Sequence, residues 1–146
     1  MTTLLQSKAI KFLETERYAQ LGTMSQDNTP TLRTMAYVLD NKRMAFLTDQ
    51  RSNKVQDIQK NPNVSCLISR DHDDWHKSLQ LTVAGKASQE ADESTIEKII
   101  SALGDKYPAM KDLPQDPNLI ILIVEIKSAS LLDNSKGFLH VDTFPF

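Results

Sequence analysis

The chain has 146 residues, of which 40% are hydrophobic and 25% charged, with a formal net charge of −2. That length is enough to bury a substantial core in one domain spanning 1–146, and the proportions exclude a disordered chain or a coiled coil. No Lys/Arg block tracks a phosphate backbone and no apolar run approaches the ~18 residues of a membrane span, so neither nucleic acid nor a bilayer is an expected partner.

The opening stretch, MTTLLQSKAIKFLETER, lacks a basic leader region, and a cytoplasmic location is expected. With Thr2 or Thr3 as N-cap, the spacing of Leu5, Ile10, Phe12 and Leu13 predicts an amphipathic helix as far as Arg17. From Tyr18 the period changes to two. YAQLGTMSQ, TLRTMAYVLD and MAFLT, separated by the turns DNTP and NKR, read as three strands of an antiparallel meander. A short helix follows over 52–60, with Val55 and Ile58 on one side, and Asn61-Pro62 ends it. NVSCLIS is a strand, RDHDDWHK a loop, and SLQLTVAGKASQ a long alternating strand. DESTIEKIISALG is the clearest helix, with Ile96, Ile99, Ile100 and Leu103 on one face and Gly104 at its stop. The nearly continuous apolar start of LIILIVEIKSASLLD suits a strand buried on both faces. The aromatic tail, with Phe138, His140, Phe144 and Phe146, is expected to pack on the body or on a partner subunit. The fold class expected is α+β, an antiparallel barrel with flanking helices.

Cys66 is the only cysteine, which excludes an intrachain disulfide, and its apolar neighbours predict a buried thiol. The three histidines, His72, His76 and His140, lack the spacing of a metal triad, and no metal site is expected.

Two places could carry chemistry. At Ser52-Asn53-Lys54 a strand feeds a helix. The first helical amides, the dipole end and the Lys54 ammonium would suit a phosphate, although the same pattern serves simple capping. Arg33 lies mid-strand in TLRTMAYV, on the same face as Met35 and Tyr37, where a guanidinium needs an anion or must snorkel to water. The NKR hairpin would bring the Ser52/Lys54 turn back toward it.

The order LRTMAYVLDNKRMAFLTDQRSNKVQDIQKNPNVSCLI, then WHKSLQLTVAGKA, resembles the pyridoxamine 5′-phosphate oxidase-like FMN-binding split-barrel family, in its shorter, general-stress-protein-like branch. The resemblance implies a six-stranded Greek-key split barrel and a homodimer with FMN in clefts between the subunits. It further implies that Arg33 binds the FMN phosphate with Ser52 and Lys54, beside Asn53. The backbone of Arg33, Thr34, Met35, Ala36, Tyr37 and Val38 would run along the isoalloxazine, Leu47 and Thr48 would meet its polar edge, and Gln80 would reach it from the later strand. Asn53 and Val38 stand where the oxidase itself has basic residues, and the oxidase's C-terminal Arg-x-His segment is missing. Oxidation of pyridoxamine phosphate is therefore not expected.

The implied activity is an FMN-dependent oxidoreductase acting on a small molecule, with NAD(P)H as a candidate donor. Its catalytic residues are not identified. His76 and Tyr37 are candidate proton donors or packed side chains, and Trp75 either covers a ligand or anchors its loop. A flavin-storing or sensing protein, a deazaflavin or haem binder, and a cofactor-free dimeric module are the alternatives.

Overall fold

A computed structural model describes residues 3–146. Helix α1 spans Leu4–Thr15, two residues short of Arg17, and Thr3 caps it in a reciprocal box with Gln6. Thr2 lies outside the described residues. The strands are β1 Tyr18–Met24, β2 Pro30–Ala36, β3 Val38–Asp40, β4 Arg43–Asp49, β5 Asn63–Arg70, β6 Leu79–Gln89, β7 Leu119–Asp133 and β8 Val141–Pro145. Helix α2 covers Asn53–Lys60 and α3 covers Glu93–Lys106.

All strand pairs are antiparallel, in the order β2-β1-β5-β6-β7-β4-β3, with β8 on the far part of β7. The curled sheet brings β2 round to approach β4. These two do not pair, and the barrel is split between them. The α+β split barrel is as expected, with eight strands among the described residues where six were read. Two events account for the difference.

First, the predicted strand 31–40 breaks at Tyr37 into β2 and β3. The Tyr37 side chain is fully buried and its phenol donates to Leu13 O at 2.6 Å. The Tyr107 hydroxyl accepts from Tyr37 N at 3.2 Å and lies 2.9 Å from Tyr37 O, while Lys106 Nζ donates to the same carbonyl at 3.1 Å. The end of α3 thus takes the polar groups a ladder would have used.

Second, the tail forms a strand. Phe144 is buried in the barrel core, and Phe146 N donates to Lys127 O at 3.0 Å. That carbonyl is free because the β6–β7 register shifts at Ala84/Gly85 and leaves Lys127 bulged. The bulge also moves the inward face of β7 from Leu122, Val124 and Ile126 to Ala129 and Leu131. On the opposite face of β7, Ile121 and Ile123 pack with Ile99 and Leu103 of α3, so its first half is buried on both sides, as its composition predicts.

Cys66 is buried as expected, and burial pushes its thiol up to about 12. No helix among the described residues is long and apolar enough to cross a membrane.

Candidate functional site

The split leaves two strand edges without partners. β2 pairs only with β1, and β4 pairs with β3 only through Arg43–Ala45, so Phe46–Asp49 has one open side. Unpaired N–H and C=O groups on such edges suit a planar ligand rich in donors and acceptors.

At one end of this gap lies a cluster of cations and hydroxyls. Arg33 points to the barrel side of β2. Its Nη1 donates to Thr23 Oγ1 at 2.8 Å and Leu21 O at 3.1 Å, and its Nη2 to Thr31 Oγ1 at 2.8 Å. Lys54 Nζ donates to Thr48 Oγ1 at 2.9 Å. Burial first, and the nearby Arg33 charge second, lower the proton affinity of Lys54. Burial likewise lowers that of Arg33, with Asp57 opposing it. The Arg33 and Lys54 charges are thus near enough to repel each other.

Ser52 departs from expectation. It occupies the N-cap position of α2, but its hydroxyl caps no amide, and Oγ is buried with no hydrogen-bond partner. The sequence places a capping side chain there; the fold turns it away. A buried hydroxyl without a partner costs about 1–3 kcal/mol, which an acceptor or donor arriving from a ligand would recover. Thr31, Arg33 and Asn53, together with the carboxylates Asp27 and Asp57, line a cavity of ≈ 420 Å³ at this end, and Ser52 and Lys54 are not among its lining residues. Arg51, in the same turn, is engaged with Asp49 at 2.7 Å and does not replace the charge that Asn53 lacks.

The other predicted residues divide by the face they occupy. Thr34 points outward and its hydroxyl accepts from Gln20 Nε2 at 3.3 Å, while Met35 packs inward against the barrel core. Ala36, Val38 and Leu47 turn toward the cluster under α3. An ammonium at Val38, 5% exposed, would have to be buried in that cluster, which explains why this chain departs from the oxidase pattern there. Tyr37 has its phenol, amide and carbonyl all engaged within the chain, and burial raises its pKa, so it is not a proton donor to the gap. Thr48 is buried beside Lys54.

Gln80 is not brought to this group within one chain. It pairs with Leu132, whereas Thr48 pairs with Ile120, twelve residues away along β7. His76 is exposed, stacked on Trp75 at 3.8 Å and bonded to Asp74, and Trp75 meets Phe138 edge-on at 5.4 Å. Both lie in the loop before β6, outside the cluster. Sequence reasoning missed Thr23, which comes from β1, and also Thr31 and Asp57, although Thr31 lies two residues before Arg33 on the same face of β2 and Asp57 lies in α2 three residues after Lys54. Among the described residues, no group of three His, Cys, Asp or Glu could hold a metal ion.

Comparison with known proteins bears on this geometry. The family described as pyridoxamine 5′-phosphate oxidase matches residues 5–133. General stress protein 26 of Bacillus subtilis (strain 168) is 28% identical over 129 residues, covering 88% of this chain and 89% of that protein. The crystal structure of general stress protein 26 from Bacillus anthracis str. Sterne superposes with a TM-score of 0.73 at 23% identity, covering 99% of this chain and 100% of that one. A haem-binding protein from Mycobacterium smegmatis gives a TM-score of 0.80 at 15% identity; it covers 94% of this chain, which spans 56% of that one. At those identities the structural matches show the fold alone.

Proposed function

The chain belongs to the pyridoxamine 5′-phosphate oxidase family, and from that premise we propose that it is an FMN-binding oxidoreductase acting on a small molecule as a homodimer. The observation that carries the cofactor is the buried, unpartnered Ser52 Oγ in the turn where Arg33 and Lys54 converge. A phosphate dianion supplies what those groups lack: acceptors for the Ser52 hydroxyl and for the Asn53 and Lys54 amides at the start of α2, and charge for two cations that otherwise repel.

When bound, FMN supplies the two-electron redox chemistry. The chain contributes position. Arg33 and Lys54 would hold the phosphate, the open edges of β2 and β4 would offer donors and acceptors to the ring, and Met35 and Leu47 would form apolar walls that limit water. Tyr37, whose phenol donates to Leu13 O, is not free to shuttle a proton.

The homodimer is supported by the outward face of the sheet. Thr34, Gln20, Leu67, Thr82, Ser130 and Thr143 follow one another across six strands, and Leu32, Gly22, Ser65, Ala84, Ser128 and Pro145 form the next row. Neither row contains a charged residue, and Leu32 is 75% exposed. A broad uncharged sheet face, flat at Gly22 and Ala84, suits packing against a second copy. Gln80 lies on this same face, where a partner's cofactor would come within its reach.

Visible absorption of the purified protein, followed by NADH or NADPH oxidation with a quinone acceptor, tests the proposal. Flavin bands with acceptor-dependent turnover are expected. Flavin bands without turnover for any donor would overturn the enzymatic half and leave a storage or sensing protein.

A further inference from the structure

The helical pattern of α3 marks Ile100 for the core together with Ile96, Ile99 and Leu103. In the structure Ile99 and Leu103 are buried, but Ile100 remains 50% exposed. It does not simply face water. With Leu47, Met110, Leu113, Leu119 and Asp116 it lines a cavity of ≈ 630 Å³ between α3, the proline-containing loop and the ends of β4 and β7. That volume lies within the ~300–1,000 Å³ usual for small-molecule sites, and the apolar lining with few polar groups is also usual for them.

Its place in the fold is informative. Leu47 lines this cavity, and the next residue, Thr48, points to the opposite side of β4, where it meets Lys54. One strand therefore separates the cavity from the phosphate cluster and presents its open edge between them. The charge of the lining selects the ligand. The lining includes one carboxylate, Asp116, whose Oδ1 accepts from Asn118 N at 2.9 Å, and no cation. A phosphate ester or carboxylate entering here would leave water and meet a like charge without a counter-ion. A neutral ring would gain from burying its apolar surface against leucine and isoleucine side chains.

We infer that this cavity is the substrate subsite and that it takes a neutral, largely apolar ring compound of the quinone class rather than a phosphorylated or carboxylated one. Its role as substrate subsite rests on the flavin reading; the ligand class rests on the cavity alone.

The test is calorimetric titration of the full chain with menadione, a neutral naphthoquinone, before and after saturation with FMN, with 1,4-naphthoquinone-2-sulfonate as the charged comparison. Menadione is expected to bind saturably in both states and the sulfonate about tenfold more weakly or worse. Ile100→Asp and, independently, Leu113→Asp, both at half-exposed positions that tolerate a polar side chain in folding, are expected to weaken menadione by about tenfold while FMN affinity changes less than about twofold. No menadione uptake, equal uptake of the sulfonate, or uptake unaffected by both substitutions would overturn the inference. Displacement of menadione by FMN would also overturn it, by making the cavity part of the flavin's own site. Failure of FMN to bind would sink the flavin reading and the subsite role with it, while the menadione arms still decide the ligand class.

Discussion

Ser52 spends its hydroxyl on no hydrogen bond, in a position where serine ordinarily caps. Ser52→Ala should therefore leave thermal stability unchanged or raise it by up to about 1 kcal/mol, because a buried unpaired group is removed, and yet weaken FMN binding. Denaturation curves and flavin titrations on the same variant check that split, which a purely structural serine would not show. Lys54→Met removes a cation that is repelled by Arg33, and the expected outcome is again undiminished stability with FMN affinity down by about 10–100-fold, the range for a charge-assisted hydrogen bond. Lys106 supplies a pH dependence. Burial, then Arg17, lowers it from 10.5 to about 8 in the folded chain. On this lysine the folded state binds fewer protons than the unfolded state between about 8 and 10.5, so its own contribution to stability rises with pH across that window, against the opposite contributions of Cys66 and Tyr37, whose pKa values folding raises. Lys106→Met should flatten the rise, as chemical denaturation at pH 7, 8.5 and 10 would reveal. At this scale the sequence exposes Arg33 and Lys54 because a mid-strand arginine and a helix-start lysine are local anomalies. Thr23 becomes a neighbour of Arg33 only through the register of β1 on β2, and Asp57 only through the docking of α2, whereas Thr31 was legible two residues before Arg33 on the same face.

The strands and helices were legible where the hydrophobic period persists. Helix α3 and strands β1, β5 and β6 follow directly from alternation or from 3.6-residue spacing. The failures occur where tertiary contacts change the period. Tyr37 continues the alternation of β2 in sequence, yet Tyr107 and Lys106 take its backbone groups and end the strand. The β6–β7 bulge is likewise invisible in sequence, although Gly85 marks it: a Cβ there would lie 2.3 Å from Glu125 O. Gly85→Ala is expected to destabilise by about 2 kcal/mol or more, since backbone rather than a flexible side chain must yield. The tail packs through Phe144 and Phe146 as read, while Phe138 stays 74% exposed, and the strand Val141–Pro145 was missed because five residues carry too little pattern. Phe144→Ala should cost about 3 kcal/mol through the hole left in the barrel core, with unfolding midpoints as the measurement.

At the scale of the molecule, the split between β2 and β4 and the uncharged outer face belong to one design. On the proposed function, the gap would offer backbone edges and a cationic end to a phosphorylated planar cofactor, and the outer face would offer a second copy a surface that brings Gln80 toward it. Leu67→Glu, at the centre of the outer rows, should give a monomer in sedimentation velocity and weaken flavin binding together with dimerisation. The barrel class was legible from the alternation of short strands and tight turns, whereas the open edges were not, because pairing partners are a property of the closed sheet. The most direct test of the cofactor reading is titration of the metal-free, FMN-depleted chain with FMN, read by flavin fluorescence, in parallel with Arg33→Ala. Saturable quenching at about one FMN per chain, lost or weakened by 10-fold or more in the variant, is the predicted result. Absence of quenching in the parent chain, or equal quenching in Arg33→Ala, would contradict it.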